Sequence, residues 1–235
     1  MINSFHFFGV LSTLFFFLSL IGLRAQILLI LSRKARVQSG EESRGYATSI
    51  LSLNAFSASF LGYYAFFIYG LALDPWNHYL VWPRLAALML TIWVLAEIAI
   101  DRAELRSKLC VLLALLLLGF GFVAMALELN IEGQKRIFSQ WLTVIITIIL
   151  AQGYVHQLRV MYRQQMVGAI SKTLHQLTLL KDIFIVCFGL SMGLDDGWPL
   201  VLLSGVSGLT KIALLMLYYR LQYPERVADL HERTE

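Results

Sequence analysis

The feature of this sequence that most restricts its fold is a series of apolar runs long enough to cross a membrane. Residues 45–73 and 109–127 contain no Asp, Glu, Lys or Arg, and about 20 apolar residues span a bilayer core. Of all residues 58% are hydrophobic and 14% are charged, against about 25% charged in soluble domains. We therefore predict an all-α membrane protein with seven transmembrane helices: 5–32, 46–72, 79–100, 109–127, 137–158, 170–192 and 199–221.

Basic residues predict how these helices are oriented. Thirteen of the 19 Lys and Arg residues lie on one side, in 33–45, 101–108, 157–172 and the tail from 220. Three lie on the other side: Arg84, Lys135 and Arg136. Because basic residues are enriched in cytoplasmic loops, we expect an outside N-terminus and a cytoplasmic C-terminus. Compact loops and the lack of an Asn-x-Ser/Thr sequon favour a bacterial plasma membrane.

Several function classes lack support in the sequence. The net charge of +4 lies in short loops, which is unlike a nucleic-acid surface. Cys110 and Cys187 lie inside apolar runs, which argues against a disulfide framework or a zinc site. No hydrolase, metalloprotease or phosphate-binding motif is present. We expect neither an enzyme nor a cofactor.

The first three predicted helices and the last three share sequence features. Gln26 lies at the end of helix 1 before Arg33, and Gln157 lies at the end of helix 5 before Arg163. In each half a glycine precedes the next helix, which has a serine near its start, ends in a glycine and is followed by a turn that contains an acidic residue and a tryptophan. These are Gly45, Ser49, Gly70 and 74–76 in the first half, and Gly168, Ser171, Gly189 and 195–198 in the second.

An internal repeat predicts the domain organisation. We expect a first three-helix repeat at 1–100, a linker helix with its loops at 101–136, and a second repeat at 137–221. A polar cytoplasmic tail follows at 222–235. One linker helix makes the two bundles parallel, an arrangement known in transporters that bind substrate at the membrane midplane.

The segments Ala25-Gln26 to Arg33-Lys34 and Gln157 to Ser171 resemble the two PQ-loops of the PQ-loop family. That family includes the SWEET sugar transporters, the cystinosin-like amino-acid exporters and, more distantly, the KDEL receptors. The resemblance implies a seven-helix fold that transports a small solute by alternating access between its two bundles.

The chain departs from the family at its prolines. Ala25 and His156 replace the proline of the two Pro-Gln pairs. We expect Pro83 and Pro199 at helix starts and no proline within a helix, which argues against proline-hinged movement.

Charged residues within helices 6 and 7 are the first candidates for a site. Lys181, Asp182 and Lys211 lie in apolar runs, where ionisable groups are costly and mark functional sites. Adjacent helical residues point about 100° apart, so Lys181 and Asp182 cannot both face one partner, and one interpretation is that Asp182 pairs with Lys211. The alternative is that these ions only join helices.

Uncharged side chains complete the expected substrate site. Amide side chains line SWEET-like pockets, so the resemblance implies that Asn54 contacts the solute. A helix–helix hydrogen bond is the alternative role for a lone Asn. Tyr63 and Trp93 offer rings for stacking, although aromatic residues also pack helices together.

Gating and proton coupling have their own candidates. Gln26 and Gln157 match the glutamines of the family and are expected to gate. Histidine is the side chain whose charge can change near neutral pH, so His156 and Asp182 are the candidates for proton coupling.

The leading hypothesis is a multi-pass transporter of a small polar solute, an amino acid or a sugar. Its expected partners are that solute and membrane lipids, without nucleic acid, and the sequence is compatible with proton coupling and a homo-oligomer. The alternative is a receptor that binds a small or peptide ligand without transport, with Arg24, Lys181 and Lys211 holding a carboxylate. A retinal protein with a Schiff base on Lys211 is disfavoured, because helix 3 has no acidic residue at its middle.

Overall fold

A computed structural model describes residues 4–43, 45–73, 75–126, 134–167 and 170–232. These residues form seven α-helices, each containing an apolar segment long enough to cross a membrane. Their bounds are α1 Ser4–Gln38, α2 Leu53–Ala72, α3 His78–Arg102, α4 Leu105–Ala126, α5 Gln134–Gln164, α6 Lys172–Ser191 and α7 Leu194–Glu232. The predicted all-α, seven-helix membrane fold is confirmed.

Six of the helices form a closed ring around a central space. We call α1–α3 the first half and α5–α7 the second half. Helix α3 packs between α1 and α2, and α7 packs between α5 and α6. The two halves meet where α1 packs on α6 and where α2 packs on α5. Helix α4 lies outside the ring against α2 and α3, so most of its Leu-rich surface faces lipid.

Helix α2 begins later than the expected residue 46, because the preceding segment is held as a turn. The Asp101 carboxylate accepts hydrogen bonds from the backbone N–H and the hydroxyl of Thr48 at 2.8 and 2.7 Å. The Arg102 guanidinium donates to the carbonyls of Thr48 and Leu51 at 2.8 and 2.5 Å. These side chains form hydrogen bonds with backbone groups that would bond to each other within α2 if that helix began earlier.

Three prolines lie inside helices, two near the start of a helix and Pro224 late in α7, so the expectation that no helix contains a proline is wrong. Pro83 is the sixth residue of α3, and Pro199 is the sixth residue of α7. A proline has no N–H, so the carbonyl four residues earlier loses its helical partner. Side chains donate hydrogen bonds to the carbonyls that Pro83 and Pro199 leave without a partner. Arg84 Nη1 donates to Tyr79 O at 2.9 Å, and Gln140 Nε2 donates to Asp195 O at 3.2 Å.

Helix α7 continues to Glu232. The backbone of 222–232 is therefore helical, whereas we expected a polar tail to follow the last helix there. Residues 233–235 lie outside the described residues. Asp74 and Gly168, which supported the repeat in the sequence, also lie outside them.

Candidate functional site

A cluster of charged side chains lies between α6 and α7, facing the central space. Asp182 Oδ1 accepts a hydrogen bond from Lys181 Nζ at 2.5 Å. Asp182 Oδ2 accepts from Lys211 Nζ and from Ser207 Oγ, both at 2.8 Å. The expected ion pair of Asp182 with Lys211 is confirmed. Lys181 also reaches this carboxylate, because its four-carbon side chain bends toward the adjacent residue.

The spacing of residues on α7 explains why this cluster forms. Ser207 and Lys211 are four residues apart, so they lie on one face of the helix, and the Lys211 ammonium also donates to the Ser207 hydroxyl. Gly208 lies where α7 contacts α6, and a Cβ at this position would meet the Cβ of Asp182 at 3.8 Å, an ordinary van der Waals distance. Lys181, Asp182 and Lys211 are 6%, 2% and 4% exposed, so each charge depends on its neighbours for stabilisation.

Arg84 is a functional candidate that we missed, because we counted it only among the basic residues of the outer side. It lies inside α3 and is fully buried. Its Cζ is 4.5 Å from the centroid of the Phe16 ring. Lys181 Nζ is 5.2 Å from the same centroid, so the two cations are no farther apart than the sum of these distances. The repeated pair Trp-Pro, at 82–83 and 198–199, was the signal that Arg84 follows a proline within a helix.

Most of the hydrogen-bonding capacity of Arg84 is unused within the described residues. Its Nη1 donates to Tyr79 O at 2.9 Å. Its Nε and Nη2 have no partner there, although a guanidinium carries five N–H donors. A buried donor without an acceptor is costly, so an acceptor that reached these nitrogens would be bound favourably.

Two adjoining cavities lie inside the ring, each with a volume of about 30 Å³. That volume accommodates roughly two water molecules. We call the first the glutamine cavity, and its polar lining includes Gln26, Thr91, Gln157, His175 and Thr178. We call the second the charged cavity, and its polar lining includes Lys181, Asp182, Ser204, Ser207 and Lys211. The expected site residue Tyr63 lines both cavities, together with Ser59 and Tyr154.

The two expected gating glutamines lie where the halves meet. Gln26 on α1 accepts a hydrogen bond from Ser171 N at 3.0 Å. Gln157 on α5 accepts from Ser52 N at 2.7 Å and donates to Ile50 O at 2.9 Å. Ser52 and Ser171 are the N-caps of α2 and α6. Each glutamine therefore holds the start of a helix in the opposite half, and Ser52, rather than the expected Ser49, corresponds to Ser171.

A glycine precedes each of these glutamines by four residues and brings the helices close. A Cβ at Gly22 would lie 2.7 Å from the Cα of Leu174, and one at Gly153 would lie 2.8 Å from the carbonyl oxygen of Asn54. We call the contacts of α1 with α6 and of α5 with α2 the crossings between the halves. The two crossings thus share the pattern Gly-x-x-x-Gln. We recognised the glutamines in the sequence and overlooked the glycines, which the common spacing would have revealed.

The remaining sequence candidates lie away from the two cavities. His156 is half-buried, with its Nδ1 2.9 Å from the Ser52 hydroxyl. Asn54 is exposed, since it lies nine residues before Tyr63 and helical rotation of about 100° per residue puts the two on opposite faces. Trp93 is 50% exposed, and its Nε1 donates to Glu97 at 3.3 Å. Asn54 and Trp93 therefore face outward from the ring.

The fold is that of the SWEET transporters. The chain superposes on a 3.7 Å structure of a eukaryotic SWEET transporter with a TM-score of 0.53 and 17% sequence identity. The match covers 90% of this chain and 99% of the SWEET chain. No protein-family model and no curated protein matches the sequence significantly. The likeness confirms the expected seven-helix SWEET-like fold of an integral multi-pass membrane protein.

Proposed function

We propose that this protein transports a small polar solute, an amino acid or a sugar, by alternating access between residues 1–100 and residues 137–221. The observation that carries this proposal is the charged cluster of Lys181, Asp182 and Lys211 on the wall of a cavity inside a SWEET-like ring. Apolar side chains would join α6 and α7 at least as stably as buried ion pairs do. Charged residues in a membrane interior instead mark pathways for substrates and ions.

Contacts between the halves at both ends of the central space support alternating access. The crossings at Gln26 and Gln157 lie at one end. At the other end the Tyr69 hydroxyl, on α2, donates to the carbonyl of Asp196, on α7, at 2.6 Å. There the ring of Phe188 also packs against Phe5, at 5.4 Å between centroids. In our proposal the protein opens one set of contacts while it keeps the other.

The orientation is part of the proposal. With the N-terminus outside, Gln26 and Gln157 lie toward the cytoplasm, and Tyr69 and Phe188 lie toward the outside. Helix α4 then joins the halves as the linker within 101–136. Asp182, which lines the charged cavity, is our candidate for coupling to protons, and His156 beside Ser52 is the second.

Uptake into proteoliposomes tests the proposal. The purified protein is given labelled sugars and amino acids with and without an inward proton gradient, and we expect saturable uptake. Removing the Tyr63 hydroxyl with Tyr63→Phe should lower uptake, because this side chain lines both cavities. Tyr64→Phe is the matched control, since Tyr64 is buried but lines neither of the two cavities.

The same experiment distinguishes a transporter from a receptor. Thermal stabilisation by a solute that shows no flux would contradict transport and support a ligand-binding receptor. Equal uptake by Tyr63→Phe and the wild type would remove Tyr63 from the proposed pathway. Dependence of uptake on the proton gradient would make Asp182 and His156 the next positions to change.

A further inference from the structure

We propose that the charged cavity binds a small organic carboxylate, with the carboxylate held by Lys181 and Arg84. This inference rests on the proposed transport function, and it takes the small polar solute to be an organic anion in place of an amino acid or a sugar. Three observations carry it: the balance of charge around the cavity, the unused hydrogen-bond donors, and the shared position of both cations against Phe16.

The balance of charge at the cavity is positive. Lys181, Lys211 and Arg84 are cations, and Asp182 is the single carboxylate that interacts with them among the described residues. Excess charge of one sign in a membrane interior is unfavourable unless a counter-charge is present. A bound carboxylate would supply a negative charge, whereas a neutral sugar would leave the excess uncompensated.

Unused donors indicate where the anion binds. Lys211 donates to both Asp182 and Ser207, so it is engaged within the cluster. Lys181 donates to Asp182 alone in the described structure, although an ammonium has three donors. Arg84 Nε and Nη2 have no partner there. A carboxylate accepts about four hydrogen bonds, which these two side chains can supply.

Phe16 connects the two cations to the cavity. Its ring forms part of the cavity wall and lies against both the Lys181 ammonium and the Arg84 guanidinium. Rotation of this one side chain would join Arg84 to the space that Lys181 already lines. The cavity, with room for roughly two waters, is similar in size to a carboxylate group, and the rest of a small solute would extend past Tyr63 into the glutamine cavity.

A simple carboxylate fits this site better than a zwitterionic amino acid. The ammonium of an amino acid would require a carboxylate partner in the cavity. Both oxygens of Asp182 already accept hydrogen bonds from Lys181, Lys211 and Ser207. The site therefore offers free donors for an anion and no free carboxylate for a cation.

The test compares ligands of similar shape and different charge on the purified wild-type protein. Lactate, succinate, lactamide, alanine and glucose are assayed by thermal stabilisation in detergent and by uptake into proteoliposomes. We expect lactate or succinate to stabilise the protein saturably. Lactamide, the neutral analogue of lactate, should bind at least about tenfold more weakly, because hydrogen bonds to a charged group are the stronger ones.

Variants then assign the site to its residues. Lys181→Gln and Arg84→Gln should each weaken carboxylate binding at least about tenfold, and Lys181→Gln leaves Asp182 paired with Lys211. Arg159→Gln is the matched control, since Arg159 is an exposed cation on α5, and this variant should bind as the wild type does. The comparison of lactate with lactamide requires no variant, so it remains decisive even if a variant does not fold.

The outcomes separate this inference from the proposed transport function. Saturable glucose uptake without carboxylate binding would support transport and overturn the carboxylate site. Carboxylate binding without uptake of any solute would support the site and contradict transport. Equal binding of lactate and lactamide, or no binding of either carboxylate, would overturn the inference.

Discussion

Replacing Asp182 with asparagine should destabilise the protein by about 3 kcal/mol, because removing one member of a buried ion pair costs about 3–5 kcal/mol. Asp182 is 2% exposed and lies within 2.5 and 2.8 Å of two ammonium groups. Its loss leaves Lys181 and Lys211 buried without a counter-charge. The asparagine oxygen still accepts one or two of the hydrogen bonds, which places the effect at the lower end of that range.

A second substitution tests whether charge causes this loss. Lys211→Met removes one of the two cations and leaves Asp182 paired with Lys181, so it should cost less than Asp182→Asn. In Asp182→Asn/Lys211→Met one of the two unpaired cations is also removed. The double variant should therefore be more stable than the sum of the single effects predicts, by at least about 1 kcal/mol.

The assay is reversible unfolding in mixed micelles, followed by circular dichroism and tryptophan fluorescence as the denaturing detergent increases. A loss of about 3 kcal/mol corresponds to roughly a hundredfold change in the unfolding equilibrium. Glu41→Gln, at an exposed loop carboxylate, is the control and should change stability by less than about 0.5 kcal/mol. A cost below about 1 kcal/mol for Asp182→Asn, or strict additivity in the double variant, would refute this account of the cluster.

Three further predictions concern the crossings between the halves and the orientation. Gly153→Ala should destabilise the protein in the same unfolding assay, because its Cβ would lie 2.8 Å from Asn54 O, whereas Gly205→Ala, with open space around its Cβ, should not. Gln157→Leu leaves buried backbone groups at one crossing without partners and should cost about 1–3 kcal/mol, while Gln152→Leu, at an exposed position of the same helix, should not. A fluorescent protein fused to the C-terminus should fluoresce in bacterial cells if that end is cytoplasmic, and a dark fusion of normal abundance would contradict the predicted orientation.

Particular residues show how far prediction from the sequence extended into the site. Lys181, Asp182 and Lys211 were recognised because charge within an apolar run is conspicuous. Gln26 and Gln157 were recognised because they recur at corresponding places. Asn54 and Trp93 were also chosen, by polarity and ring type, yet they face away from the cavities.

Arg84 shows why the rest was not predictable. In the sequence it follows a proline near the start of an apolar run, which is typical of a residue at the membrane surface. In the structure Pro83 lies inside α3 and frees a backbone carbonyl, and Arg84 donates to that carbonyl. The predicted helix 79–100 already contained Arg84, but the burial of its side chain depends on how α3 is rotated within the ring, which the sequence alone does not give.

By itself the sequence determined the membrane location, the number of helices and their all-α fold. These properties follow from hydropathy, which is a sum over neighbouring residues and needs no knowledge of tertiary contacts. Only the tertiary structure decided which helix faces line the cavities, that Lys211 reaches Asp182, and that Arg84 and Lys181 lie against the same Phe16 ring. Those contacts depend on the rotation of each helix within the ring and on the reach of long side chains across it, and neither quantity is local along the chain.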